Sequence, residues 1–350
     1  MQDLSEDRGF RVVSDILSYD PEKDVWIRQG QMKLPRMSHG ASAVAVTEDI
    51  LGACRTERSV RDNSVYGADS HYYITEPITA LLVGMLITGG YRDPHSQTAL
   101  RSAEVLIPSR NSSCGLAQMR SARYRHSVSG FLACGGEGGE ESRTSCEELQ
   151  GGDWSETVGL HSQGRSGHTA WGFNGSVLLM GDLTDQASQA QTTEIIEGSS
   201  NTSDRFYQLN VKISLSCGIE DVERRLLVLT GGLDQPRQVG IYGWEGYLVG
   251  LASLQSGRHS HGCAGYYREV FGEKSLVMVV AGGLNRFNRS LTTTERFEFN
   301  EGHDWNYVSP LPAPLAGLRG VTVDNTIFML GRSYFLKHPD IMDSYGVRRF

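Results

Sequence analysis

The sequence lacks a long apolar run, and this absence bears on membrane insertion. Its longest run is ITALLVGMLIT, 11 residues at positions 78–88 between Pro77 and Gly89. A helix that spans a bilayer needs about 20 predominantly apolar residues. The run therefore predicts a buried strand, and we expect no membrane span.

Basic residues are also scarce relative to acidic ones. The chain has 33 Lys and Arg against 41 Asp and Glu, which gives a formal net charge of −8 at pH 7. Proteins that bind nucleic acid usually gather Lys and Arg into a basic patch or stripe, whereas the cationic residues here are spread along the chain. The composition argues against nucleic acid as a partner.

The short motifs of common enzyme classes are absent as well. There is no G-x-S-x-G nucleophile elbow, no H-E-x-x-H zinc helix and no phosphate-binding loop. The stretch GGEGGE at residues 135–140 contains no basic residue that could meet a phosphate, which favours a solvated turn after a strand. We therefore predict neither a cofactor nor an enzymatic activity.

Glycine, in contrast, is abundant and periodic. Six short apolar runs each end in a glycine, and the first glycines of these runs are separated by 46, 46, 50, 51 and 49 residues. Five nearly equal intervals predict a repeat protein. The repeated glycines are Gly89, Gly90, Gly135, Gly136, Gly181, Gly231, Gly232, Gly282, Gly283 and Gly331.

Two further markers recur in phase with the glycines. The pattern Arg-x-x-His occurs four times in phase with the repeat, and a β-rich segment with a Glu follows four of the glycines by 12 to 15 residues. The histidines are His39, His126, His168 and His261, and the glutamates are Glu104, Glu147, Glu194 and Glu295. A residue that recurs once per repeat is held by the packing of the repeat, so we interpret these residues as structural.

The stretch SGRHSHGCAGY at residues 256–266 raises the hypothesis of a metal site. A strand would place His259, His261 and Cys263 on one face, and Tyr242 and Tyr266 are further candidate ligands for copper or zinc. However, His261 is a repeat position and Cys263 is a disulfide candidate. We therefore interpret the stretch as structural and expect no bound metal.

Taken together, these markers resemble the kelch-repeat family over nearly the whole chain outside residues 47–82 and 333–350. The resemblance implies an all-β propeller with four-stranded antiparallel blades and with binding by loops on one face. We expect a propeller at residues 12–332, a surface insertion at 47–82 and a tail at 333–350. The fourth repeat departs from the pattern because it lacks the Arg, the His and the Glu.

The two ends of the chain predict how the ring closes. The segments GLRGVTV and NTIFML supply only two strands of the last blade, whereas residues 13–21 and 24–30 resemble a third and a fourth strand. Unpaired strand edges invite aggregation, and joining the ends removes them. We therefore predict six blades, with Ile16 and Leu17 beside Ile327–Leu330 and Trp26 outside them.

Cysteines and glycosylation motifs bear on the compartment. Cys134 and Cys146 fall in adjacent strands of one repeat, and Cys217 and Cys263 fall in the first strands of neighbouring repeats. Cys54 and Cys114 complete the disulfide candidates, and six reduced buried thiols are the alternative. The N-x-Ser glycosylation candidates are Asn111, Asn174, Asn201 and Asn288.

The sequence also resembles extracellular kelch proteins that consist of one free-standing propeller. We expect an extracellular protein whose start in this sequence is truncated or wrongly assigned, because no signal peptide is visible in the first 30 residues; a cytoplasmic protein is the alternative. The predicted function is a monomeric, non-catalytic recognition module that binds an unknown protein or glycan through loops. Alternatives are a lectin-like propeller and a copper-radical oxidase of the galactose-oxidase type.

Overall fold

The fold is an all-β ring of six blades. The computed structural model describes residues 15–52, 82–92, 98–139, 144–159, 164–173, 175–181, 193–197, 201–203, 213–243, 248–270, 272–299 and 304–333. Within these ranges, 24 strands form six four-stranded antiparallel sheets. No helix in the described part of the chain is long and apolar enough to cross a membrane.

Each sheet is one blade, and its first strand lies nearest the ring axis. Blade I contains β3 (Gly40–Val46), β4 (Leu82–Thr88), β5 (Ala103–Ile107) and β6 (Ser112–Leu116). Blade II contains β7 (Ser127–Ser129), β8 (Leu132–Cys134), β9 (Ser145–Gln150) and β10 (Asp153–Gly159). Blade III contains β11 (Thr169–Phe173), β12 (Ser176–Met180), β13 (Thr193–Glu197) and β14 (Asn201–Ser203).

The remaining three blades follow the same order, except that the sixth combines both ends of the chain. Blade IV contains β15 (Cys217–Asp221), β16 (Leu226–Thr230), β17 (Gln238–Gly243) and β18 (Leu248–Ser253). Blade V contains β19 (Gly262–Val270), β20 (Glu273–Ala281), β21 (Thr294–Glu298) and β22 (Asn306–Val308). Blade VI contains β23 (Leu315–Val323), β24 (Thr326–Ser333), β1 (Asp15–Asp20) and β2 (Val25–Gln31).

The predicted six-bladed propeller is confirmed. In blade VI, Ile16 lies opposite Leu330 and Leu17 opposite Met329, while β2 pairs with the outer edge of β1. Trp26 lies in β2, where its ring centre is 5.1 Å from that of Tyr19. The first strands of neighbouring blades contact each other all the way round, including β23 of blade VI with β3 of blade I.

Turns between the first and second strands form one face of the ring, which we call the hairpin face. In blade VI this turn is Asp324–Asn325, and both residues have positive φ, at 47° and 61°. Positive φ at both central positions is the geometry of a type I′ turn, whose twist matches that of the flanking strands. Second strands run from this face to the opposite one, which we call the glycine face because they end there in Gly89, Gly135, Gly231 and Gly282.

At the glycine face, six loop residues form a closed ring of backbone hydrogen bonds around the axis. Each one precedes by one the His position of its blade, has positive φ, and donates its N–H to the corresponding carbonyl of a neighbouring blade at 2.7 to 3.3 Å. The residues are Ser38, Arg125, Gly167, Leu215, Ser260 and Gly317. This ring fixes the width of the channel at this end.

The hydrophobic core lies between neighbouring sheets. One cluster combines Ile219 of blade IV with Val280 and Trp305 of blade V, and another combines Tyr19 of blade VI with Val277 of blade V. Because each sheet presents both faces to neighbours, its central strands are apolar on both sides, as in β20.

The segment 47–82 differs in part from the expected surface insertion. Residues 48–52 are helical, and Ile50 and Leu51, each 4% exposed, pack into the core with Val44 and Trp154. Thr47 begins this helical turn, since its carbonyl accepts the N–H of Leu51 at 3.1 Å. Residues 53–81 and the expected tail, apart from Ser333 at the end of β24, lie outside the described residues.

Candidate functional site

The repeated Arg and Glu residues, which were separate markers in the sequence, form one buried ion pair in each of four blades. In each pair the side chains are at most 2% exposed. The pairs are Arg36–Glu104 at 3.0 Å, Arg123–Glu147 at 2.5 Å, Arg165–Glu194 at 3.1 Å and Arg258–Glu295 at 2.6 Å. They join the loop before the first strand to the third strand of the same blade.

Blade V shows how such a pair is satisfied. Besides Glu295, Arg258 donates from Nη1 to the carbonyls of Gly282 at 2.8 Å and Thr293 at 2.9 Å. Glu295 also accepts the N–H groups of Gln255 and Ser256 at 2.6 and 2.9 Å. Buried charges are tolerated when hydrogen bonds occupy both partners in this way. The pair therefore acts as an internal brace and faces no open site.

Three of the four repeated histidines link neighbouring blades. His126 Nε2 is 2.7 Å from Thr88 Oγ1 of blade I, and His261 Nε2 is 2.8 Å from Thr230 Oγ1 of blade IV. His168 Nε2 contacts Ser127 Oγ of blade II at 2.7 Å. Burial lowers the pKa of His168 to about 3, and the nearby Arg165 acts in the same direction. These rings are neutral and structural at physiological pH.

The repeated glycines explain why the markers run in phase. A Cβ on Gly282 would stand 2.6 Å from the carbonyl oxygen of Leu315 and 2.7 Å from Leu318 Cδ1 in the next blade, and Gly282 has φ of +63°. The N–H of Gly283 donates to that same carbonyl at 2.8 Å. Only glycine fits this close approach between blades.

Two of the predicted disulfides are confirmed. Cys134 bonds to Cys146 across β8 and β9, and Cys217 bonds to Cys263 between the first strands of blades IV and V. Cys114 lies in β6, and Cys54 lies outside the described residues.

The residues of the metal-site hypothesis are occupied by other contacts. The sulfur of Cys263 is in a disulfide, His261 bonds to Thr230, and His259 Nδ1 is 3.2 Å from Ser260 Oγ. Tyr242 and Tyr266 are buried in different interblade clusters. In the part of the chain that the structure describes, no three His, Cys, Asp or Glu residues are grouped to hold a metal.

The glycosylation candidates have different surroundings. Asn111 ends the 3-10 helix Pro108–Arg110 and is exposed, and Asn288 is exposed in the loop after β20. Asn201 begins β14, and Asn174 lies outside the described residues. Glycosylation at these positions stays a prediction.

A projecting loop on the glycine face of blade V is the strongest candidate for a contact surface. Phe287 is 66% exposed at its tip. Asn285 holds the loop, since its Oδ1 accepts the N–H groups of Phe287 at 2.9 Å and Arg289 at 3.1 Å. The guanidinium of Arg286 lies 4.6 Å from the Phe287 ring centre. None of the repeat markers falls in this loop, so only the turn-forming residues Asn285 and Asn288 could have indicated it from the sequence.

Two further apolar side chains are exposed on this side of the ring. Leu233, 47% exposed, follows the glycines of blade IV, and Tyr307, 57% exposed, lies in the outer strand of blade V. Tyr307 is anchored because its hydroxyl is 2.7 Å from Ser256 Oγ. We refer to Phe287, Leu233 and Tyr307, exposed on the same face of two neighbouring blades, as the blade IV–V patch.

Comparison with known proteins supports the fold alone. A solved structure, that of YjhT, superposes with a TM-score of 0.55 at 12% sequence identity, over 72% of this chain and 91% of that one. No family model and no curated protein matches the sequence. The resemblance to kelch repeats therefore stays a prediction.

Proposed function

We propose that the chain is an extracellular, non-catalytic recognition module of the kelch type that binds a protein partner through the blade IV–V patch. The observation that carries the proposal is the exposure of Phe287 at the tip of a loop whose backbone is held by Asn285. An aromatic side chain held in place binds with little loss of conformational entropy.

The composition of the patch fits protein recognition. Protein interfaces are enriched in aromatic residues and Arg at their energetic centres, and the Arg286–Phe287 pair supplies both. Leu233 and Tyr307 add exposed apolar surface on the same face. The rest of the propeller is a rigid frame that leaves this surface preorganised.

The extracellular part of the proposal draws on the two disulfides and on the exposed Asn111 and Asn288. Disulfides persist in oxidising compartments and are rare in the cytosol. Peptide mapping of protein from its native source, without reduction, is expected to recover Cys217 joined to Cys263. Recovery of both as alkylated free thiols would contradict this location.

The binding experiment is affinity capture from extracellular fluid with matched variants. Phe287→Ala is expected to lose the captured protein. The control is Val249→Ala, which removes an apolar side chain of comparable exposure, 55%, in the outer strand of blade IV. Equal capture by wild type and Phe287→Ala would refute the assignment of the patch.

A glycan ligand is the second candidate, because Phe287 and Tyr307 expose two aromatic rings on the same blade. Aromatic rings in lectin sites stack against sugar rings, and this use does not require Arg286. A glycan array probed with wild type and Phe287→Ala tests it. Glycan binding that depends on Phe287, together with no captured protein, would favour the lectin-like function.

A further inference from the structure

The central channel contains a second candidate site, which extends to the hairpin face, opposite the blade IV–V patch. First strands of the six blades enclose a cavity of about 610 Å³, within the range of small-molecule sites. At the glycine-face end it reaches His168 and Ser216, directly beside the backbone hydrogen-bond ring. At the hairpin-face end its lining includes Val222 and Asn325.

The walls of this cavity combine hydroxyl groups and exposed backbone with apolar side chains such as Val128 and Ile219. Ser42, Ser129 and Thr322 supply hydroxyl groups, and glycine and alanine positions of the first strands expose backbone between them. The mouth is held rigidly on one side, because Asn325 bonds to both the N–H and the carbonyl of Tyr267 at 2.7 Å. A polar ligand would therefore enter a preformed site.

Arg319 is the unusual member of the lining. It replaces the small residue that starts the first strand in other blades, such as Gly40 or Ser127, and it makes no ion pair with any described residue. Its one side-chain hydrogen bond to a described residue is a long one, 3.4 Å, from Nη1 to the carbonyl of Leu318. In contrast, each of the four Arg residues of the Arg-x-x-His pattern has a Glu partner.

The electrostatics agree with an unneutralised cation in the channel. Arg319 reaches channel solvent but is surrounded by protein, and this desolvation lowers its pKa to about 10. Its charge contributes to the lowered pKa of His39, His126, His168 and His261, which come from four different blades. Arg319 therefore lies near the axis and stays protonated at neutral pH.

Glu220 is the nearest acidic candidate along the channel wall, and it does not neutralise Arg319. It lies three residues beyond Cys217, which is at the level of Arg319, so the two levels are about 10 Å apart at 3.3 Å per residue. Glu220 instead accepts the N–H of Gly172 at 3.4 Å. Surrounding protein raises the pKa of Glu220 to about 7 although its side chain reaches solvent.

We propose that the channel binds a small hydroxylated carboxylate, which enters from the hairpin face and places its carboxylate against the Arg319 guanidinium. The planar guanidinium matches a carboxylate in a two-point hydrogen-bonded pair. Hydroxyls of the ligand bond to the serine and threonine side chains of the wall. This site is separate from the blade IV–V patch and takes a different class of ligand.

The test uses gluconate and glucose, which carry similar hydroxyl groups and differ in charge. Wild type is expected to show saturable thermal stabilisation by gluconate and none by glucose. Arg319→Gln is expected to weaken gluconate binding at least about tenfold, because it removes the one cationic partner. The matched control, Arg120→Gln, makes the same charge change at an exposed side chain outside the cavity lining and should bind like wild type.

A second variant keeps the test decisive if Arg319→Gln fails to fold. Ala43 is exposed in the cavity wall, so Ala43→Phe should obstruct the channel between the hairpin face and Arg319 and abolish gluconate stabilisation while Arg319 remains. The proposal is overturned if wild type shows no saturable response to gluconate, or if gluconate binds equally to wild type and to a folded Arg319→Gln or Ala43→Phe. Neither result changes the expected capture of a protein partner through Phe287, so the two proposals can fail separately.

Discussion

Blades IV and V are neighbours with the same four-strand order, yet their interiors differ. Blade V holds the Arg258–Glu295 pair. In blade IV the corresponding positions are Ile213 and Gly240, and the ring of Tyr242 lies over Gly240, 2.5 Å from where a Cβ would stand. Ile213 and Tyr242 belong to one apolar cluster. An apolar pair therefore fills in blade IV the space that an ion pair fills in blade V.

The two blades share their backbone links. Gly232 donates to the carbonyl of Arg258 at 3.0 Å, and Gly283 donates to the carbonyl of Leu315 at 2.8 Å. Leu215 and Ser260 occupy equivalent places in the backbone ring, both with positive φ. Every blade therefore needs this backbone geometry. The side chains that fill the interior of a blade can be either of two sets, an Arg–Glu ion pair or an apolar pair.

The largest loss of stability is predicted when the Arg258–Glu295 ion pair of blade V loses one partner. Arg258→Ile copies one half of blade IV and leaves Glu295 buried without its cation. Removal of one partner of a buried pair typically costs about 3–5 kcal/mol. Urea unfolding should show this loss, and a cost below about 1 kcal/mol would contradict the role of the pair as a brace.

The second largest effect on stability is predicted for the disulfide that links blades IV and V. Replacement of Cys217 and Cys263 by Ser is expected to cost about 2–4 kcal/mol. The matched control is the Cys134–Cys146 pair, which closes a separation of 12 residues instead of 46. Loop-closure entropy makes the control cost about 1 kcal/mol less. An equal or larger cost for the control in urea unfolding would contradict this explanation.

The buried histidines predict that the free energy of unfolding depends on pH. Blade IV does not contribute to this dependence, because it has Ser216 in place of the histidine. Burial holds the pKa of His168 at about 3, below the unfolded value near 6.5, so the unfolded state binds the extra proton. Stability is full above pH 6.5 and falls as the pH drops towards 3. At pH 5 the neutral His168 alone costs about 2 kcal/mol of stability relative to pH 7.

The measurement is the free energy of unfolding at pH 7, 6 and 5 for wild type and for His261→Ser, which copies blade IV. Burial lowers the pKa of His261 well below its ordinary value. The variant is therefore expected to lose less stability between pH 7 and pH 5 than wild type. An identical pH dependence in both proteins would refute the assignment of His261.

Sequence reasoning reached the six blades because glycine spacing and strand order follow the period of the fold. It missed the Arg–Glu pairs, since loops of different length separate the partners by 68, 24, 29 and 37 residues. The Arg and the Glu each recur once per repeat, but the contact between them is visible only in the folded structure. The ring closure depended on strand counting, which needs no loop geometry.

Arg319 and Phe287 could not be found by periodicity, because neither residue recurs at the equivalent position of other blades. Arg319 differs from its counterparts in other blades, and a sequence scan for recurring residues discards such differences. The exposure of Phe287 depends on hydrogen bonds within the loop from Asn285. Functional candidates in a repeat protein are therefore the residues that break the pattern.

The smallest stability effect is predicted for Phe287→Ala. Its ring is mostly in solvent, so the free energy of unfolding should change by no more than about 0.5 kcal/mol. A loss above about 2 kcal/mol in urea unfolding would mean that Phe287 supports the fold and would remove it as a contact residue.

The most direct test of interchangeable side-chain sets is the stability of a blade V that carries the blade IV set. The variant combines Arg258→Ile, Glu295→Gly and Phe297→Tyr, since Phe297 occupies the place of Tyr242. Its free energy of unfolding in urea is expected to exceed that of Arg258→Ile alone by at least about 1 kcal/mol, because no buried charge is left unpaired. A triple variant as unstable as Arg258→Ile, or less stable, would contradict the account.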